Sequence, residues 1–279
     1  MTLPRSKLEG IIGIDGKEYP LPSLEQVADL FDHNDALVAT KVLQGFDRLE
    51  LTPMAAPMSL LVERLNSAIL KHSVEGNIYQ TRHSEADPHV GVRVNKEKQV
   101  WIWEVLRQAF DTEDLIYFPK EYSSNHQGST KTDIINDGSL CAVPGWSVGL
   151  VERLPFMPHE GQGKEKGGRK QLEIGSSPAE YLEALRGDEY QGEKGRTLED
   201  FITEFTSRLV MTKEVSNDVD DGNALWCLGQ YLKVPYADTV PTGRWIRTVG
   251  RVRLDAHRSR NKECAKNWGA ATTVRLSGL

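Results

Sequence analysis

The stretch Trp245-Ile-Arg-Thr-Val-Gly-Arg-Val-Arg-Leu-Asp-Ala-His-Arg-Ser-Arg-Asn-Lys-Glu-Cys-Ala-Lys-Asn-Trp268-Gly-Ala-Ala-Thr-Thr-Val-Arg-Leu276 decides how this chain is read. Its ends, Trp245-Ile246 and Thr272 to Leu276, suit strands. The middle is polar and shows no apolar period, unlike a packed core element. Rigid ends around a freely variable middle suit a binding surface, because binding residues tend to sit on loops that a scaffold holds in place.

Charge sets this region apart. From Arg244 to Leu279 nine Lys and Arg face only Asp255 and Glu263, a balance of +7 in a chain of net charge −6, which leaves −13 on the preceding 243 residues. A basic end on an acidic body attracts an anionic partner, although an ordinary solvated face has the same composition. Three tryptophans lie nearby. Trp226 and Trp268 read as core of a small β module, while Trp245 fits either core or a ligand-facing position.

Upstream, helices dominate. Ser23-Leu-Glu-Gln26 has capping-box spacing and predicts a helix with Leu24, Val27, Leu30 and Phe31 on one face. A second helix is expected from Asp35 to Gln44, and a third carries Leu61, Leu65 and Ile69. Lys131–Asn136 is expected to be helical, and Ser177 caps another helix. Thr197-Leu-Glu-Asp200 opens the clearest helix, with Phe201, Phe205 and Leu209 at i,i+4 positions. Arg48–Thr52, Val100–Trp103, Leu115–Phe118 and Trp146–Leu154 read as strands. Pro155 to Lys170 reads as a long, flexible Gly/Lys-rich surface loop. Beyond Asp221-Gly222 no helical period returns, so the chain is α+β with β structure concentrated at its C-terminal end.

With 279 residues, 39% apolar and 27% charged, the chain has enough sequence for a substantial core, in one large domain or two smaller ones. No secretory h-region and no bilayer-length apolar run is visible, so the expected compartment is the cytoplasm, without membrane insertion. Cys141, Cys227 and Cys264 form no CxxC pair and are expected to be free thiols, a Cys227–Cys264 bridge being the alternative.

Catalytic and metal motifs fail on their spacing. His159-Glu160 lacks the second histidine of a zincin, since Gly163 stands there. Gly161 to Lys170 lacks the Gly-Lys-Ser/Thr ending of a phosphate loop. Asp218-Val-Asp-Asp-Gly222 places its glycine one residue early for a calcium loop and reads as a turn. His126 has no nucleophile elbow to serve. The expectation is a non-enzymatic protein with no catalytic residues, no metal and no cofactor.

The order Asp-Gly-Asn-Ala-Leu-Trp-Cys-Leu-Gly, Val-Pro-Thr-Gly-Arg-Trp, Arg-Val-Arg-Leu-Asp and Asn-Trp-Gly-Ala-Ala-Thr-Thr-Val-Arg-Leu resembles the C-terminal end of C-type-lectin-like variable proteins. These are the targets of diversity-generating retroelements, in which an error-prone reverse transcriptase rewrites codons near the end of the gene. Lys17–Pro22, Tyr117–Glu121, Gly167–Gln171 and Thr197–Asp200 extend the resemblance to a group of bacterial proteins with such endings. Where variable regions of this family are rich in Asn, Ser, Asp and Tyr, this one holds Arg and Lys.

The resemblance implies a C-type-lectin-like (formylglycine-generating-enzyme-like), β-rich C-terminal module with helices in front and between. Residues 1–110 would form a helix-rich N-terminal part and 111–279 the lectin-like part, with a variable-type region at about 223–276. It implies binding by display: Trp245, Arg247, Arg251, Arg253, Asp255, His257, Arg258, Ser259, Asn261 and Lys262 would form an exposed patch. Trp and Arg are the commonest interface hot spots, so Trp245 with its neighbouring arginines is the expected anchor. The expected ligand is a macromolecule, a protein in the first reading. One rival is nucleic-acid binding through the basic, Trp-containing end. Another is an enzyme on the formylglycine-generating-type scaffold, for which Cys227 and Cys264 are the only nearby thiols.

Overall fold

A computed structural model describes residues 10–82, 84–137, 140–152, 157–234, 237–260 and 265–278. Asn261, Lys262 and Cys264 therefore lie outside the described residues. The chain is α+β. It opens with a hairpin of β1 (Ile11–Ile12) and β2 (Glu18–Tyr19), followed by α1 (Leu24–His33), α2 (Asp35–Leu43), β3 (Phe46–Thr52) and α3 (Met58–Val74). Next come β4 (Val100–Ile102), α4 (Glu104–Ala109), β5 (Leu115–Tyr117), α5 (Lys131–Asn136) and β6 (Ser147–Glu152). A second hairpin, β7 (Glu165–Lys166) and β8 (Arg169–Lys170), leads to α6 (Pro178–Ala184), β9 (Glu193–Gly195) and α7 (Leu198–Thr212). Six strands finish the described fold: β10 (Ala224–Trp226), β11 (Gln230–Val234), β12 (Ala237–Ile246), β13 (Arg251–Arg258), β14 (Trp268–Ala270) and β15 (Thr272–Arg275).

The helix starts follow local chemistry. Ser23, Thr130, Ser177 and Thr197 each complete a capping box, with Gln26, Asp133, Glu180 and Asp200 reaching back. Each such cap stabilises its helix by about 1 kcal/mol. Val27 and Leu30 face the core as expected, but Leu24, in the first turn of α1, is 91% exposed.

β12 is the spine of the larger sheet. On one side β11 pairs with its first half and β10 with its second; on the other side β13 runs its full length. β4 and β14 add parallel strands at the two ends of the row β14–β10–β12–β13–β4, and β5 flanks β11. A smaller sheet, in the order β3–β6–β15–β9, uses the terminal strand as an interior member. Val274 is fully buried there, packed with Phe46 and Leu150 beneath α1 and α2.

The main core lies between the large sheet and α3 and α7. Leu61, Leu65 and Ile69 meet Phe201, Phe205, Leu209, Trp245, Val252 and Leu254. Gly243 marks where α7 presses onto β12: a Cβ there would stand 2.6 Å from the Phe201 ring. The acids that open α7 are buried too. Glu199 accepts hydrogen bonds from Tyr117 Oη at 2.6 Å and Gln230 Nε2 at 2.9 Å, and Lys131 Nζ lies 3.2 Å away. Asp200 accepts from Thr52 Oγ1 at 2.7 Å and pairs with Arg275. One helix end thus ties both sheets together, its positive dipole end adding to the cations that hold the carboxylates.

One expectation changes here. The stretch from Pro155 to Lys170 ends in an ordered hairpin, because Arg169 turns inward to pair with Glu193 and Glu152 and to stack 4.7 Å from the Phe46 ring. The part before residue 110 shares structure with the rest: β4 pairs with β13, β3 pairs with β6, and α3 packs into the core that Trp245 and Leu254 occupy. Among the described residues no helix is long and apolar enough to cross a membrane.

Candidate functional site

The polar middle of the decisive stretch is a strand. In β13 the side chains of Val252, Leu254 and Ala256 enter the main core, so Arg251, Arg253, Asp255 and His257 take the opposite face. Register carries the same division onto β12. Trp245 pairs with Val252 and Gly243 with Leu254 on the inward side; Arg244 pairs with Arg253 and Thr242 with Asp255 on the outward side. Trp245 is therefore core, fully buried with its ring 6.2 Å from that of Phe205, and not the exposed anchor that the resemblance implies.

The outward face has two halves. α6 and a second apolar cluster of Tyr181, Tyr190, Trp226, Val240 and Trp268 cover one half. From the other half a ladder crosses the sheet to the edge of that cluster. Trp101 on β4 opposes Arg253, which opposes Arg244, and one step beyond the Leu225–Gly243 pair Ala224 separates Arg244 from Trp268. Ala224 is small, so Arg244 can lie across it with its guanidinium 4.5 Å from the centre of the Trp268 ring. Arg253 stacks in the same way, 4.3 Å from Trp101. Planar guanidinium groups suit such stacking, and each contact stabilises by about 0.5–2 kcal/mol according to exposure.

Asp255 sits between the two arginines. It accepts from Arg253 Nε at 2.9 Å, and Arg244 lies 3.5 Å away. The carboxylate is buried and pinned, a positioning group for the two arginines and not the free contact the resemblance implies. His257 stands edge-on to Trp268, with ring centres 4.9 Å apart, and its Nε2 is 3.7 Å from Asp255. Burial holds the imidazole below its ordinary 6.5; Asp255 opposes that shift, and Arg244 and Arg253 reinforce it.

The remaining expected residues divide. Arg251 is half-buried on the outward face, and Arg258 is exposed where β13 ends. Arg247 is tethered to Asp218 at 2.9 Å and Asp221 at 2.6 Å, so the acidic turn after α7 neutralises it. Ser259 is buried because its backbone closes the sheet edge, donating to Asp238 and accepting from Ala179. Asn261 and Lys262 lie outside the described residues. Arg275 turns inward to Asp200. Much of the formal basic charge of this end is thus matched within the fold.

Sequence reasoning missed Trp101, Arg244 and the outward placement of Trp268. Their signal is alternation: Val100 and Ile102 are buried around half-buried Trp101, as Val252 and Leu254 are around Arg253. Cys227 is a free, fully buried thiol that burial pushes well above its ordinary value, which leaves it protonated and out of contact with solvent. Among the described residues no group of three or more His, Cys, Asp or Glu is placed to hold a metal ion. No protein-family model, curated protein or solved structure matches the chain.

Proposed function

We propose that this chain is a non-enzymatic recognition protein on a C-type-lectin-like scaffold, of the kind used by the variable proteins of diversity-generating retroelements. Its binding surface is the uncovered outward half of β12 and β13, and its ligand is a protein. The observation that supports this reading is the strict alternation along β13. Val252, Leu254 and Ala256 hold the strand to the core, while Arg251, Arg253 and His257 can change without disturbing it. The partly exposed Arg253–Trp101 stack supplies rigid, amphipathic contact area, the commonest chemistry of interface hot spots.

Sequencing the DNA that flanks the gene tests the reading. The expected finding is a reverse-transcriptase gene with a near-copy of the codons for about residues 223–276, differing only at template adenines. The differing codons should fall on Arg251, Arg253 and His257 and spare Trp245, Val252 and Leu254. Absence of the repeat, or differences concentrated at inward positions, would sink it. The half-exposed arginines 251 and 253 and the exposed Arg258 favour nucleic acid as the second reading. That ligand predicts duplex-DNA affinity falling with salt at a log–log slope of about −0.9 per phosphate contact. A protein ligand seated on the stacked face predicts a shallow slope.

A further inference from the structure

A cavity of 50 Å³ opens between α7 and the end of β6. Glu152, Arg196, Glu204, Arg208, Ser216 and Asn217 line it. Three chains of ion pairs end on this cavity. One runs Lys41–Glu193–Arg169–Glu152, and a second joins Arg48, Glu50, Arg196 and Glu204. The third is Arg82–Glu214–Arg208, with both contacts at 2.7 Å. The first two balance. The third holds one more guanidinium than carboxylate.

Four lining side chains keep a buried polar atom with no hydrogen-bond partner among the described residues: Arg196 Nε, Arg208 Nε, Ser216 Oγ and Asn217 Oδ1. Arg196 and Ser216 are 3% and 4% exposed. Buried polar groups are nearly always paired, so four unpaired ones around one void point to a ligand. Asn217 Nδ2 donates to the Asn223 carbonyl, which fixes the amide with its oxygen as the remaining acceptor. The lining thus presents three donors, two of them cationic, and one acceptor. The carboxylates of Glu204 and Glu152 are engaged: Glu204 by Arg48 and Arg196, Glu152 by Arg169 and Gln171.

We propose that this cavity binds a small monovalent oxyanion bearing its own hydroxyl, of the size and shape of bicarbonate. Its charge matches the excess guanidinium of the third chain. Its oxygens accept from Arg196, Arg208 and Ser216, and its hydroxyl donates to Asn217. At 50 Å³ the cavity suits a ligand of only a few non-hydrogen atoms, the size class of bicarbonate.

The test uses the full chain in carbonate-free buffer at mildly alkaline pH, titrated with sodium bicarbonate, sodium nitrate or sodium chloride at matched ionic strength. Thermal unfolding and the carbon-13 linewidth of labelled bicarbonate are the readouts. Bicarbonate is expected to raise the melting temperature in a saturable way and to broaden its own resonance, with nitrate (planar, equally charged, no hydroxyl) weaker. Ser216→Ala and Asn217→Gly should each weaken bicarbonate binding about tenfold, and Asn217 tolerates glycine because its φ is already 52°. Superimposed curves for the three salts would overturn the site. Equal nitrate and bicarbonate effects, or variants that bind as the parent does, would overturn the hydroxyl-bearing assignment.

Discussion

The two faces of β13 make a sharp contrast within one strand. Inward, Val252, Leu254 and Ala256 are committed to a core they share with Phe201 and Trp245. Outward, Arg251, Arg253 and His257 touch solvent, one another's partners and the flat faces of tryptophans. The backbone is common to both faces, so strand geometry alone separates scaffold from surface. The difference teaches that a polar, arginine-rich strand can be as firmly registered as an apolar one, provided every second residue is buried.

Substitutions should expose the asymmetry in graded steps. Val274→Asp places an unpaired charge in a fully buried site of the smaller sheet and is expected to abolish folding, read by loss of the cooperative urea transition. A folded Val274→Asp protein would remove the terminal strand from the scaffold. Trp245→Ala deletes the largest inward side chain of β12 and should cost about 3–5 kcal/mol by urea unfolding. That result separates Trp245 from the ligand surface, since a surface tryptophan would cost far less.

How much of this was legible in the sequence turns on particular residues. The helix starts at Ser23, Thr130, Ser177 and Thr197 were readable because a cap is a local interaction completed within four residues. Trp226 and Trp268 are buried, as expected for the core of a small β module, and Val274 is buried as the resemblance implies. β13 was not recognised as a strand because arginine, aspartate and histidine outnumber its apolar positions, and Ala256 barely registers as apolar. Trp245 was misplaced for the same reason: its inward side is set by its pairing with Val252, a long-range fact of register. Arg169 escaped notice because its partners, Glu193 and Phe46, lie far away in the chain.

Outward changes should be mild. Arg253→Ala removes a partly exposed stacking contact with Trp101 and one of the two arginines beside Asp255, and should cost about 0.5–1 kcal/mol. Differential scanning calorimetry would show this as a small shift in melting temperature, while binding through this face should fall much further. A loss comparable with that of Trp245→Ala would break the contrast between the faces.

The smallest expected effect depends on pH. His257 binds its proton less readily in the folded chain than its ordinary 6.5, mainly because of burial. Just below 6.5 the unfolded chain therefore carries more protons than the folded one. The contribution is fully present above that value and is lost as pH falls through the window below it. His257→Gln should flatten this part of the stability–pH curve. An unchanged slope would mean that His257 is not insulated by Trp226 and Trp268.

The central claim is that β13 divides into a fixed face and a changeable one. Two displayed libraries test it most directly, one randomised at Arg251, Arg253 and His257 and the other at Val252, Leu254 and Ala256, each scored by the fraction of members that resist protease. The account predicts that most outward-library members remain resistant and nearly all inward-library members are cleaved. Equal survival of the two libraries, or better survival of the inward one, would contradict it.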